Sequence, residues 1–193
     1  LKNLAVFCGS SNGVSEIYVK EAAKLGKELA ERNIGLVYGG ASVGVMGAVA
    51  DSVLQHGGQV TGIMPDFLKK REISHKNLTN LIVVDSMHER KARMAELADG
   101  FIVLPGGPGT MEEFFEIFTW AQLGLHQKPC GLLNIKHYFD PLISLFNHMT
   151  AEGFMQEKYR EMALTAPTPQ DLLNQFSNYE PPAVKTYLTE DQT

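Results

Sequence analysis

The chain has 193 residues, 44% hydrophobic and 20% charged, a globular balance that excludes a disordered or fibrous protein. Its net charge is −5 with no basic block, which argues against a nucleic-acid partner. No apolar run approaches the ~18 residues of a membrane span, so no membrane partner is expected.

The first residues enter an apolar run directly, Leu4–Cys8, without a signal-peptide pattern. Similar short runs recur at Ile34–Tyr38, Val60–Met64, Leu81–Val84, Phe101–Leu104 and Gly131–Ile135. They are rich in Val, Ile, Leu or Phe and alternate little, as expected of strands covered on both faces. Helical patterns fall between them, over 15–33, 44–57, 87–98, 110–124 and 139–152. A short seventh strand near Met162–Ala166 and a helix over 168–177 follow. This alternation predicts an α/β fold: a Rossmann-like, doubly wound, mostly parallel sheet of about seven strands flanked by helices. One domain over 1–178 and a polar tail over 179–193 are expected. The polar stretch Pro65–Asn80 is too long for an ordinary connection and is expected to form an active-site flap. Cys8 and Cys130 lie in apolar runs and no CxxC occurs, which fits a reducing, cytoplasmic compartment and no structural zinc.

Ligands of open parallel sheets bind beyond the carboxyl ends of the strands. Three glycine-rich turns stand there. The first is Gly9-Ser10-Ser11-Asn12-Gly13. The second begins at Gly39-Gly40 and runs through Gly44 to Gly47. The third is Pro105-Gly106-Gly107-Pro108-Gly109-Thr110. Glycines let backbone N–H groups approach a ligand, and a helix start beyond such a turn attracts phosphate. Gly9, Ser10, Gly39, Gly40, Gly106, Gly107, Gly109 and Thr110 are therefore candidate substrate contacts, with Thr110 the expected N-cap. Neither GxxxxGK[ST] nor a GxGxxG after the first strand occurs, which disfavours a Walker-type ATPase and a dinucleotide dehydrogenase.

On a helix, Met87, Arg90, Met94 and Leu97 share one stripe, with Lys91 beside it. A cation on an apolar stripe either snorkels to water or meets an anion in a cleft. Glu112 and Glu113 open the next helix, where a carboxylate complements the dipole. With a phosphate on the Gly106–Thr110 turn, Glu113 would lie about a ribose length away, near the anomeric carbon. The six histidines, His56, His75, His88, His126, His137 and His148, show no ligand spacing, so no metal is expected and His88 is expected to be structural.

The segments Pro105–Glu113 (PGGPGTMEE) and Met87–Lys91 (MHERK) resemble the PGGxGTxxE and MHxRK signatures of the Lonely Guy (LOG) family. Gly39-Gly40 with Gly44, Met46 and Gly47 resembles its second glycine-rich motif, with Ala41 where a third consecutive glycine is usual. The resemblance covers roughly residues 3–175. It implies hydrolysis of the N-glycosidic bond of a nucleoside 5′-monophosphate, cytokinin riboside monophosphate in plants and AMP in some bacterial relatives, giving base and ribose 5-phosphate. It implies Arg90 and Glu113 as the catalytic pair, and substrate contacts at Met87, Lys91, Glu72 and the Gly106–Thr110 turn. It also implies a homodimer or larger homo-oligomer and no cofactor. An older family label, lysine decarboxylase, has no support in the sequence, because pyridoxal chemistry needs a Schiff-base lysine and a partner for the pyridinium nitrogen. A non-catalytic nucleotide or phosphate carrier on the same fold is the alternative; it needs the glycine turns but neither Arg90 nor Glu113.

Overall fold

The computed structural model describes residues 1–69 and 74–183. Seven strands form one all-parallel sheet: β1 (Asn3–Phe7), β2 (Gly35–Tyr38), β3 (Val60–Pro65), β4 (Asn80–Val84), β5 (Phe101–Val103), β6 (Cys130–Leu133) and β7 (Ala163–Ala166). Their order is β4-β3-β2-β1-β5-β6-β7. The chain winds outward from β1 to β4, then returns to place β5 against the other side of β1. The crevice where a ligand is expected therefore opens between the carboxyl ends of β1 and β5.

Among the described residues eight α-helices accompany the strands: α1 (Ile17–Glu31), α2 (Gly44–Gln55), α3 (Asp66–Lys69), α4 (Met87–Leu97), α5 (Pro108–Gln122), α6 (Asp140–Ala151), α7 (Glu157–Glu161) and α8 (Pro169–Ser177). Apolar side chains of α1, α2 and α8 pack on one sheet face, with Leu25, Val49, Val53 and Leu172 at its core. Those of α4, α5 and α6 pack on the other, around Met94, Phe114, Phe118 and Phe146. Both faces are covered, which is why the strands read as unbroken apolar runs.

Two expectations need correction. β4 is an edge strand rather than one covered on both faces: Leu81 and Val83 are exposed. Thr110 is not an N-cap. Proline is suited to a first helical position, so α5 opens at Pro108 with Gly107 as its cap, and Thr110 is buried in the first turn. His88 is exposed on α4, on another face from the buried Arg90. Of the expected flap, residues 70–73 lie outside the described residues, and so does the expected tail from 184 onward.

The packing of α1 against α2 depends on Gly26. A Cβ there would sit 2.6 Å from the Val49 carbonyl oxygen and 2.7 Å from Ser52 Cβ. Gly26→Ala gains about 1 kcal/mol of helix propensity but is expected to lose about 1–3 kcal/mol by overpacking, a net destabilisation. A urea midpoint at or above that of the wild type would contradict this.

Candidate active site

The start of α4 is set by local bonds. Ser86 Oγ accepts the Glu89 N–H at 3.1 Å, and Glu89 Oε2 accepts the Asp85 N–H at 2.8 Å. This reciprocal cap, written in the sequence as Ser86-Met87-His88-Glu89, fixes the first turn of the helix. Arg90 then points inward and is only 5% exposed. Its Nη2 donates to the Gly39 carbonyl at 3.1 Å, and Nη1 lies 3.8 Å from Met87 Sδ. Its buried Nε has no hydrogen-bond partner among the described residues. A Cβ on Gly39 would overlap Arg90 Nη2, so the missing side chain at Gly39 makes room for the guanidinium.

Glu113 comes from α5. Thr110, Phe114, Ile117, Phe118 and Ala121 form the buried stripe of that helix, and Glu113 falls within it. The helix thus carries a carboxyl into the interior, where it is 8% exposed. Burial raises its pKa to about 7, against a smaller lowering pull from Arg90. The thiol of Cys8, buried just past β1, is pushed up by burial and then by the charge of Glu113. Cys8, Arg90 and Glu113 therefore share one electrostatic neighbourhood at the strand ends.

The first and third glycine turns do something different. Gly9–Gly13 and Pro105–Gly107 line a cavity of about 370 Å³, with Val45, Tyr18 and Tyr138 completing its wall. Gly9, Ser10, Gly106 and Gly107 meet there, whereas Arg90 and Glu113 do not line it. The two helix starts nearby also differ. At α2 the Val45 and Met46 N–H groups are already bonded to the Ser11 and Gly9 carbonyls. At α5 the Gly109 and Thr110 N–H groups have no partner among the described residues, so this helix start is the one open to an anion.

Lys91 is drawn elsewhere. Its Nζ lies 2.6 Å from Glu112 Oε1 and 2.8 Å from Glu116 Oε2, on the buried face of α4. Glu112 thus serves as an ion-pair partner. Glu72 lies outside the described residues.

Sequence reasoning missed Tyr18 and Tyr138. The Tyr138 hydroxyl donates to the Gly106 carbonyl at 2.7 Å, and its ring meets Tyr18 edge-on with centroids 5.9 Å apart. Tyr138 is presented by a turn in which Lys136 and His137 both have positive φ, 52° and 61°. Asn134 closes that turn, accepting the Phe139 N–H and donating to Asp140 Oδ1, both at 2.7 Å. Two consecutive non-glycine residues in this conformation mark a position held at some cost. No sequence pattern announces them.

The raised pKa of Glu113 bears on stability. Between its ordinary value of 4.5 and about 7 the native state holds a proton that the unfolded chain has released, so stability falls as pH rises through this window. Glu113→Gln removes the penalty. The variant is expected to gain stability over the wild type above pH 7, by up to about 3 kcal/mol, and none of this gain below pH 4. An unfolding free-energy difference that does not change between those pH values would contradict the shift.

The family model described as possible lysine decarboxylase matches residues 46–176. The cytokinin riboside 5′-monophosphate phosphoribohydrolase LOG7 of Arabidopsis thaliana is 47% identical over 180 residues, 93% of this chain and 83% of that protein. The rice enzyme LOG (Oryza sativa subsp. japonica), of the same name, is 44% identical over 191 residues, 99% of this chain and 79% of that one. Among solved structures, the molybdenum cofactor binding protein of Rippkaea orientalis superposes with a TM-score of 0.70 at 21% identity, covering 92% of this chain and 96% of that one; this establishes a shared fold. The motif-bearing helices α4 and α5 both lie inside the matched region, and the chain belongs to the Lonely Guy (LOG) family, the family also described as possible lysine decarboxylase.

Proposed function

We propose that this protein hydrolyses the N-glycosidic bond of adenosine 5′-monophosphates, N6-modified or not, releasing the free base and ribose 5-phosphate. The observation that carries this reading is a buried guanidinium whose Nε has no partner among the described residues, electrostatically coupled to a buried carboxyl whose pKa is raised to about 7. A buried donor without a partner points to a ligand atom. A carrier would have no use for either group.

The 5′-phosphate docks on the open start of α5, at the Gly109 and Thr110 N–H groups, where the helix dipole adds to their attraction. Binding energy from this remote group positions the ribose and is available to the reacting bond. As the bond from C1′ to the base breaks, its electron pair leaves with the base and positive charge grows on the sugar. The Glu113 carboxylate faces that charge in a site of low dielectric, where its stabilisation is large. Water supplies a hydroxyl to C1′ and a proton to the base. Arg90 is held by Gly39 and uses its free Nε to hydrogen-bond the sugar or the departing base. It is not a proton donor, because a guanidinium pKa exceeds ~12.

The decarboxylase label implies pyridoxal phosphate, and the residues do not fit it. The buried lysine among the described residues is Lys91, and two carboxylates hold it as a cation rather than leaving it free for imine formation. The reading extends to a cytoplasmic homo-oligomer. A groove of about 390 Å³ between α5, α6 and α7, bordered by the exposed Phe115 and Phe154, supports self-association. Sedimentation should therefore give a dimer or larger species, and a strict monomer would count against it.

Ribose 5-phosphate release from AMP and from isopentenyladenosine monophosphate tests the function. Arg90→Ala and Glu113→Gln should each lower kcat by ~10²-fold or more with the fold intact, as expected of groups acting on the transition state. Full activity in either variant would refute the mechanism. Because the carboxylate is the working form, kcat/KM should rise with pH up to about 7 and then level off. A profile that falls through this range would reverse the role of Glu113. Tyr138→Phe keeps the ring but frees the Gly106 carbonyl. It should raise KM ~3–10-fold with kcat nearly unchanged, the signature of lost uniform binding. An unchanged KM would remove Tyr138 from the site.

A further inference from the structure

The second glycine turn is gripped at three successive carbonyls. Gly39 O accepts from Arg90 Nη2 at 3.1 Å, Gly40 O accepts the His75 N–H at 3.0 Å, and Ala41 O accepts the Tyr38 hydroxyl at 3.1 Å. Gly40 has a φ of +83°, so the turn depends on glycine and has little stiffness of its own. The carbonyl that orients Arg90 is therefore only as well placed as the bonds around it.

His75 contributes more than its N–H group. Its ring is buried, with Nε2 2.8 Å from Asp51 Oδ1 on α2. Nδ1 accepts the Asn77 N–H at 3.2 Å, which puts the ring proton on Nε2, facing Asp51. Ser74 makes an antiparallel bridge with Ala41 beside it. The residue is thus tied to α2 by its side chain and to the turn by its backbone. Arg90 reaches the same turn from α4, on the opposite sheet face.

We infer that His75 is a positioning residue for the reaction proposed above: hooked to Asp51, it clamps the Gly39–Ala41 turn and so holds Arg90 in register with Glu113. This rests on the proposed hydrolysis, and it adds a residue pair that none of the three sequence motifs contains. A misplaced catalytic group costs rate rather than ground-state binding, so the clamp is legible in kcat.

The test measures kcat and KM for ribose 5-phosphate release from AMP in the wild type, His75→Ala, Asp51→Ala, the double variant and His75→Gln. Amide hydrogen exchange over residues 38–45 is followed in the same proteins. His75→Ala and Asp51→Ala should each lower kcat ~10-fold or more while KM moves less than ~3-fold. The double variant should be no slower than the slower single one, because one interaction is removed twice. A glutamine Nε2 can still donate to Asp51, so His75→Gln should recover kcat to within ~3-fold of the wild type. The turn amides should exchange faster in both alanine variants. Unchanged kcat, a loss confined to KM, multiplicative losses, or slow exchange in the alanine variants would overturn the clamp. If His75→Ala does not fold, Asp51→Ala decides the matter, since that side chain is half exposed and its loss leaves the histidine in place. A wild type that releases no ribose 5-phosphate from any adenosine monophosphate would sink the proposed reaction, while the exchange comparison would still decide the clamp.

Discussion

A guanidinium buried at the tip of β2 is the constraint on which the rest of the site depends. Removing such a charge from water is costly unless it is paired and fully hydrogen-bonded. Arg90 has one carbonyl, one thioether contact and the influence of a carboxyl that burial holds near neutral pH. Its Nε has no hydrogen-bond partner among the described residues. The neighbourhood is consistent with groups whose full complement is completed by a ligand. The reciprocal cap at Ser86 and Glu89 aims the helix, the missing Cβ at Gly39 admits the side chain, and the α5 stripe delivers Glu113. Each is a local feature of the chain, and together they leave two opposite charges near each other with little water.

The three glycine turns divide their labour. A common expectation is that glycines beyond parallel strands cradle phosphate. Here the first and third turns form a cavity with Tyr18 and Tyr138; the Val45 and Met46 N–H groups of α2 are already bonded, whereas the Gly109 and Thr110 N–H groups of α5 have no partner among the described residues. The second turn instead holds protein groups: Arg90 on one carbonyl, His75 on the next and Tyr38 on the third. The same residue type thus serves ligand access in one turn and the placement of a cation in another. What decides is which side chains arrive from the flanking helices.

Much of the fold was legible because it is written in periodicity. Six apolar runs, a short seventh strand and the six longer helices follow from strand and helix spacing, with ends within a few residues, while the short helices α3 and α7 carry too few residues to show a period. β4 read as buried because its composition matches the central strands; whether Leu81 and Val83 are covered depends on what lies beside them in space, which one strand cannot reveal. Arg90 and Glu113 were found because stripe position and helix-start chemistry are local, and the family signatures contain both. Lys91 was harder to judge. Its partners Glu112 and Glu116 lie on another helix, and their reach across to it is a matter of tertiary packing. Tyr138 and His75 gave no signal, since each acts through a carbonyl more than thirty residues away in the chain. Long-range bonds to backbone leave no pattern in a single sequence.

The phosphate anchor and the acidic side chain have to act on one sugar. A crystal structure with ribose 5-phosphate bound tests this most directly. The phosphate is predicted on the Gly109 and Thr110 N–H groups, with the anomeric carbon turned toward Glu113 and a sugar oxygen within hydrogen-bonding distance of Arg90. A phosphate seated elsewhere, or an anomeric carbon facing away from Glu113, would contradict the mechanism.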